Sequence, residues 1–186
     1  MNIFARKSPL FLAGELCRLE QANERHVEGI LKAVEKSPFN SFIHVPKNLA
    51  EALLYVKEIP NTLQFVIVRI SDETIVGCTR LQFHLEHMQL GWTWLQKDAR
   101  GTGINLESKI ILFRYLFEVL RVNEVYITVP TRNTPSIKAM KKLTLVHVTE
   151  NFSTVFCLTR GEWTFRKDQI IEASKAKGIH LDPDIL

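Results

Sequence analysis

The chain has 186 residues, 24 Lys and Arg against 20 Asp and Glu, a formal net charge of +4 and 46% hydrophobic residues. That balance belongs to an ordinary globular chain and excludes a disordered or collagen-like one; at this length a core can form without disulfides or a structural metal. No apolar run is long enough to span a membrane, and the stretch after Arg6 and Lys7 is interrupted by Glu15, too soon for a signal-peptide core.

Neither repeats nor low-complexity tracts nor Gly/Ser- or Pro-rich linkers divide the sequence, so one domain over residues 1–186 is expected. Residues 14–20 alternate apolar and polar, the period of a first strand. After Asn23, the spacing of Val27, Ile30, Leu31 and Val34 predicts a helix that ends before Pro38. A short helix over 49–56 follows, stopped by Pro60. Strands are predicted over 63–70, 74–83 and 87–96, separated by breaks short enough for hairpins. Residues 104–120 are apolar nearly all round and predict a helix with little free surface. A short buried strand over 124–129 and a cationic helix over 133–143 come next. Strands at 145–147 and 154–159 flank a turn at Asn151, and a polar helix over 162–177 closes the chain. A meander leading into a strand-helix-strand unit predicts an α+β fold: a mixed, mostly antiparallel sheet of six or seven strands flanked by helices. Cys17, Cys78 and Cys157 fall within or beside strands, odd in number and far apart. This predicts reduced, inert thiols in a cytoplasmic protein.

The segment that carries chemistry is Trp92-Thr-Trp-Leu-Gln-Lys-Asp-Ala-Arg-Gly-Thr-Gly-Ile-Asn105, where a strand enters a loop and the loop enters the apolar helix. Gly101 and Gly103 permit positive φ and close approach of a ligand to the backbone. A helix start offers unpaired N–H groups and partial positive charge, and Lys97 and Arg100 add full charge beside it. The loop is therefore a candidate pyrophosphate cradle. It is not a Walker A loop, because Ile104 and Asn105 follow Gly103, nor a dinucleotide fingerprint, because Leu106 stands where a third glycine belongs. For two glycines alone, a plain strand-to-helix turn is the commoner explanation.

Arg100-Gly-Thr-Gly103 resembles the Arg/Gln-x-x-Gly-x-Gly/Ala signature of the GNAT superfamily of acetyl-CoA-dependent N-acyltransferases, with Asn105 in place of the small last residue. Gly91-Trp-Thr-Trp-Leu95 with Gly101-Thr-Gly-Ile-Asn105 is similar to the branch containing ribosomal-protein N-terminal acetyltransferases. Arg132-Asn133-Thr-Pro-Ser136 through Leu143 resembles the second segment of the superfamily. The likeness covers residues 14–160. It implies a V-shaped splay after the fourth strand, which parts from its neighbour at a bulge, and acetyl-CoA as co-substrate. The acceptor it implies is a primary amine, of a small molecule or a peptide N-terminus, that attacks the thioester directly. It further implies that Trp94, Leu95 and Gln96 run beside the pantetheine arm, with the Leu95 N–H holding the oxyanion. The cofactor-binding segment so implied includes Lys97, Arg100, Gly101, Thr102, Gly103, Ile104 and Asn105. Asn133 would bond the pantetheine, and Ser136 would protonate the departing thiolate.

Met140 stands where many members carry an acidic tyrosine, and Met cannot donate a proton. This favours, as an alternative, a catalytically weak CoA-binding or regulatory module. Glu86, His84 and His87 are candidate bases, although a hairpin tip is also where solvated polar residues collect. Trp92 and Trp94 are expected on one strand face with Met88 and Leu90, packed in the core. Phe39, Phe42 and His44 would line an acceptor pocket or simply pack. No metal is expected, since His84-x-x-His87 has no third ligand at a recognisable spacing. Neither a nucleic acid nor a membrane is an expected partner: the cation excess is mild and no recognition motif occurs. The oligomeric state is left open, a homodimer among the alternatives.

Overall fold

The computed structural model describes residues 10–37, 45–84, 87–141, 143, 146–150 and 152–175. Its strands are β1 (Phe11–Ala13), β2 (Cys17–Gln21), β3 (Thr62–Arg69), β4 (Thr74–His84), β5 (His87–Leu95), β6 (Glu124–Pro130), β7 (Val146–Glu150) and β8 (Ser153–Thr159). They form one sheet in the order β1-β2-β3-β4-β5-β6-β8-β7, antiparallel throughout except where β5 meets β6. The seven expected strands are all present. The eighth is β1, whose three residues pair with Arg18–Glu20 and are too few to show a period.

Helices α1 (Val27–Glu35) and α2 (Leu49–Tyr55) pack on one face of the sheet; α3 (Ile104–Arg114), α4 (Thr134–Lys141) and α5 (Arg160–Lys175) belong to the core of the other. The first core gathers Ile30, Ala52, Val66, Cys78 and Trp94, and the larger one Leu19, Phe65, Leu81, Leu90, Phe113 and Trp163. With both faces covered, β3 is buried from Leu63 to Val68, an unbroken apolar run rather than an alternating one apart from Gln64. Asn23 and Asn48 cap the turn before α1 and the start of α2, each accepting a backbone N–H ahead of it.

The helix expected over 104–120 is regular to Arg114 and continues as a wider turn over Tyr115–Val119, where the Leu120 N–H donates to Tyr115 O, five residues back, at 3.0 Å. It is buried almost all round, including Glu107, Ser108, Lys109 and Arg114. No helix among the described residues is long and apolar enough to cross a membrane.

Glu107, fully buried, anchors α3 to the outer edge of the sheet, where the chain passes from β1 to β2. Its carboxylate accepts the N–H groups of Glu15, Leu16 and Cys17, with N···O distances from 2.7 to 3.2 Å. Gly14 lets the chain pass, since a Cβ there would lie 2.6 Å from the Glu107 carboxyl carbon. A buried carboxylate is stable only when its lone pairs are met, and three backbone donors meet them. Glu107→Gln keeps the volume but turns an amide donor toward those N–H groups. It is expected to lower stability by about 3 kcal/mol in urea denaturation.

Candidate active site

β5 and β6 pair only at Met88↔Val125 and Gln89↔Tyr126, and then part. The cause lies on the other edge of β5. Between Cys78↔Trp94 and Arg80↔Gly91 the register shifts, so Thr79 faces two residues, Trp92 and Thr93. Trp92 takes φ 49°, a left-handed conformation that a bulky residue holds only when its surroundings enforce it. This β-bulge bends β5 away from β6. Beyond it the strand is drawn close to β4 at Gly77, where a Cβ would collide with the carbonyl of Trp94.

The bulge also overturns the expected strand face. Met88 and Leu90 do enter the core beneath α3, but one extra residue reverses the alternation, and Trp94 packs under α1 and α2. Trp92 is half-buried and lines the gap, with the Arg80 guanidinium 5.1 Å from its ring centroid. The gap is a cleft of about 650 Å³. One wall is the β5 edge. The others come from Ile127–Pro130 of β6, the start of α4, Ser153, and Asn105 and Lys109 of α3.

At the end of β5 the Gln96 N–H donates to Val76 O at 2.8 Å. Antiparallel alternation then turns the N–H and C=O of Leu95 away from β4, toward the cleft. The Leu95 carbonyl accepts Arg100 Nε at 3.1 Å. A turn over Lys97–Ala99 leads to Gly101, φ 78°, and Gly103, φ 97°, and α3 begins. Both glycines occupy the left-handed region that favours this residue. Thr102 Oγ1 closes the loop on Ala99 O at 2.8 Å, and the Glu107 N–H makes the first helical bond, to Gly103 O. The N–H groups of the first helical residues, Ile104 and Asn105, come before that bond and are the donors a helix start leaves over.

The residues singled out in the sequence divide by position. Trp94, Leu95, Arg100, Gly101, Asn105, Asn133 and Ser136 line the cleft. Gln96 and Ile104 are buried beneath the loop. Lys97 and Thr102 are exposed outside the lining, and the Lys97 N–H is engaged by Lys36 O at 3.1 Å. Asn133 caps α4 by accepting the Ser136 N–H at 3.3 Å. Ser136 is half-buried one turn before Met140, which is buried against the same cleft. Glu86, Phe39, Phe42 and His44 lie outside the described residues. His84 and His87 stack at 5.3 Å, His87 meets the Tyr126 ring edge-on at 4.8 Å, and His84 Nε2 bonds Gln89 Oε1 at 2.9 Å.

Two features of the site escaped the sequence reading. Arg80 lies between the Tyr55 and Trp92 rings and donates to Gln64 Oε1 at 2.9 Å. Beside it burial pushes the Tyr55 phenol well above its usual range. Lys109 is 3% exposed and its burial brings its pKa down to about 7. Arg100 and Lys109 are the charged side chains among the described lining residues.

Comparison with known proteins places this geometry. The chain matches the family model of the acetyltransferase (GNAT) domain over residues 17–146. No curated protein matches it by sequence. Its fold is similar to that of a GCN5-related N-acetyltransferase from Brucella melitensis, 17% identical over 92% of this chain and 86% of the other, TM-score 0.76. It is also similar to a GNAT-family acetyltransferase from Bacillus anthracis, 15% identical over 82% and 100%, TM-score 0.70. A third likeness is to a Vibrio cholerae protein provisionally assigned as a ribosomal-protein-serine acetyltransferase, 15% identical over 81% and 97%, TM-score 0.68.

The crowding at Gly77 is testable apart from any chemistry. Gly77→Ala is expected to cost about 2 kcal/mol in denaturant and to speed hydrogen exchange at Gln96, whose N–H crosses to Val76 at that point.

Proposed function

The chain belongs to the GNAT family of N-acetyltransferases, which use acetyl-CoA, and we propose that its cleft holds that co-substrate along the β5 edge while an amine enters from the opposite side. The observation that carries this reading is an unpaired strand edge running directly into a left-handed glycine loop at a helix start, within one cleft. The edge offers Leu95's backbone groups to an extended amide-bearing arm. The loop offers N–H groups and Arg100 to phosphates. With one permanent cation, Arg100, and no carboxylate among its described lining residues, the cleft suits a polyanion.

Acetyl-CoA supplies the activated acetyl thioester. The chain's part is to orient and stabilise. The Leu95 N–H is a fixed dipole aimed into the cleft, where negative charge develops on the carbonyl oxygen. Ser136 supplies a hydroxyl to the thiolate, whose own pKa near 8.5 asks for little assistance. Asn133, its Oδ1 engaged in capping α4, keeps an amide N–H₂ for the arm of the co-substrate. The acceptor is a primary amine of a small molecule or a peptide N-terminus. The Vibrio cholerae neighbour and the Gly91–Asn105 string favour the peptide. A second reading, a CoA-binding module with little turnover, is favoured by Met140, a side chain unable to act as an acid at the cleft wall.

Thermal unfolding with excess acetyl-CoA tests the assignment, with ATP and NAD as controls. At 100 times its dissociation constant a ligand adds about 2.7 kcal/mol, a rise of several degrees for a domain of this size. Acetyl-CoA alone is expected to produce it, and an unchanged melting temperature would remove the assignment. Gly103→Val is expected to abolish most of that shift while the protein stays folded, because a branched side chain is strained at φ 97° and narrows the loop. In an amine screen, Ser136→Ala is expected to lower kcat about tenfold or more with KM for acetyl-CoA little changed. An unaltered kcat would leave Ser136 as a helix-start residue only.

A further inference from the structure

The roles above leave Lys109 unused. It projects from the second turn of α3, almost fully buried yet lining the cleft. Its Nζ donates to Thr93 Oγ1 at 2.5 Å and to Thr79 Oγ1 at 3.3 Å. The two hydroxyls bond each other at 2.8 Å, and both reach Gly91 O, at 3.3 and 3.4 Å. Gly91 and Thr93 flank Trp92, and Thr79 is the single residue opposite the bulge. The hydrogen bonds at the bulge thus lead to one amine on α3.

The proton count is informative. A neutral amine has two N–H groups, and the two threonine hydroxyls accept both; a protonated one has a third. Among the described residues lining the cleft there is no carboxylate to accept it. β4 presents Thr79, β5 presents Gln89 and Thr93, β6 presents Thr128, and α4 presents Asn133 and Ser136, all uncharged. The other charge lining the cleft is the cation Arg100, at the loop.

We propose that Lys109 is a positioning residue for acetyl transfer, locking the β5 bulge to α3 and gaining a proton when the anionic co-substrate fills the cleft. This rests on the reading of the cleft as an acetyl-CoA site. Burial lowers the lysine's pKa to about 7, so above that pH the amine of the empty cleft is mostly neutral. Negative charge brought into the cleft favours the ammonium and raises that value. Binding and protonation are therefore linked: affinity increases as pH falls from the raised value toward about 7, by up to tenfold per pH unit, and levels off below.

Calorimetric titration of acetyl-CoA near pH 8, in two buffers of different ionisation enthalpy, measures the proton directly. Acetyl-CoA has no free thiol, and its phosphate, with a second pKa of about 6, is already ionised there. The wild type is expected to take up a substantial fraction of a proton per site. Lys109→Met is expected to bind with no uptake and with pH-independent affinity. Lys109→Arg, whose charge is permanent, is expected to bind without uptake and to serve where the methionine variant folds poorly. The Leu95 amide resonance is expected to follow the same pH midpoint in the wild type and to lose it in the variants. Binding without uptake by the wild type, or undiminished uptake in the folded variants, overturns the role of Lys109 alone. Failure of the wild type to bind acetyl-CoA overturns the cleft assignment itself.

Discussion

A single extra residue in β5 governs the geometry around the cleft. Because Thr79 faces both Trp92 and Thr93, the strand cannot continue flat beside β6, and its hydrogen-bonding edge opens. An L residue in the left-handed region costs about 1–2 kcal/mol. Three contacts oppose that cost at Trp92: the Arg80 guanidinium over its ring, the threonine hydroxyls on Gly91 O, and Lys109 behind them. Past the bulge, only a glycine at position 77 lets β4 approach the Trp94 carbonyl closely enough to keep the end of β5 in the sheet. The open edge is thus a local defect, held by a well-formed ladder on its other side.

The loop depends on a second, opposite device. Its donors must face outward and stay unfilled, so the helix that carries them has to be fixed by something other than its first turn. Glu107 does this, four residues past the glycine that starts α3, by collecting three N–H groups from the connection between β1 and β2 and from the first residue of β2. The burial of α3 on nearly all sides adds to the same effect. One turn of helix therefore points its backbone N–H groups at the cleft and its carboxylate into the core. The sheet's outer edge and the helix that follows the glycine loop are joined through one side chain.

What the sequence disclosed follows from which features repeat. β4 and β5 alternate, and β3 and α3 are apolar, over lengths long enough to be seen, and Gly101 and Gly103 mark the loop because few other residues tolerate φ near 90°. The bulge left no such mark. Met88, Leu90, Trp92 and Trp94 read as unbroken alternation, and the residue that takes the left-handed turn is a tryptophan rather than a glycine. Lys109 and Glu107 carry one signal, since a helix apolar all round must bury its charges too, but their partners lie 16 to 92 residues away and no local pattern names them. β1 is shorter than the two-residue period needs to declare itself.

The same inventory limits how protons move during transfer. Among the described residues lining the cleft there is no carboxylate and no histidine, and α4 carries the apolar Met140 one turn after Ser136. An attacking amine must shed its proton, and the one amine of the lining, Lys109, is proposed to be already protonated once the co-substrate is bound. The route therefore leads out of the cleft to water, or to groups beyond its walls. On the proposed function such a site would gain its rate from alignment and fixed dipoles: a bulge that turns one backbone N–H toward the cleft, and a glycine loop whose helix-start N–H groups are open to an anion. It can dispense with a paired acid because the leaving group is a thiolate, which departs readily near neutral pH.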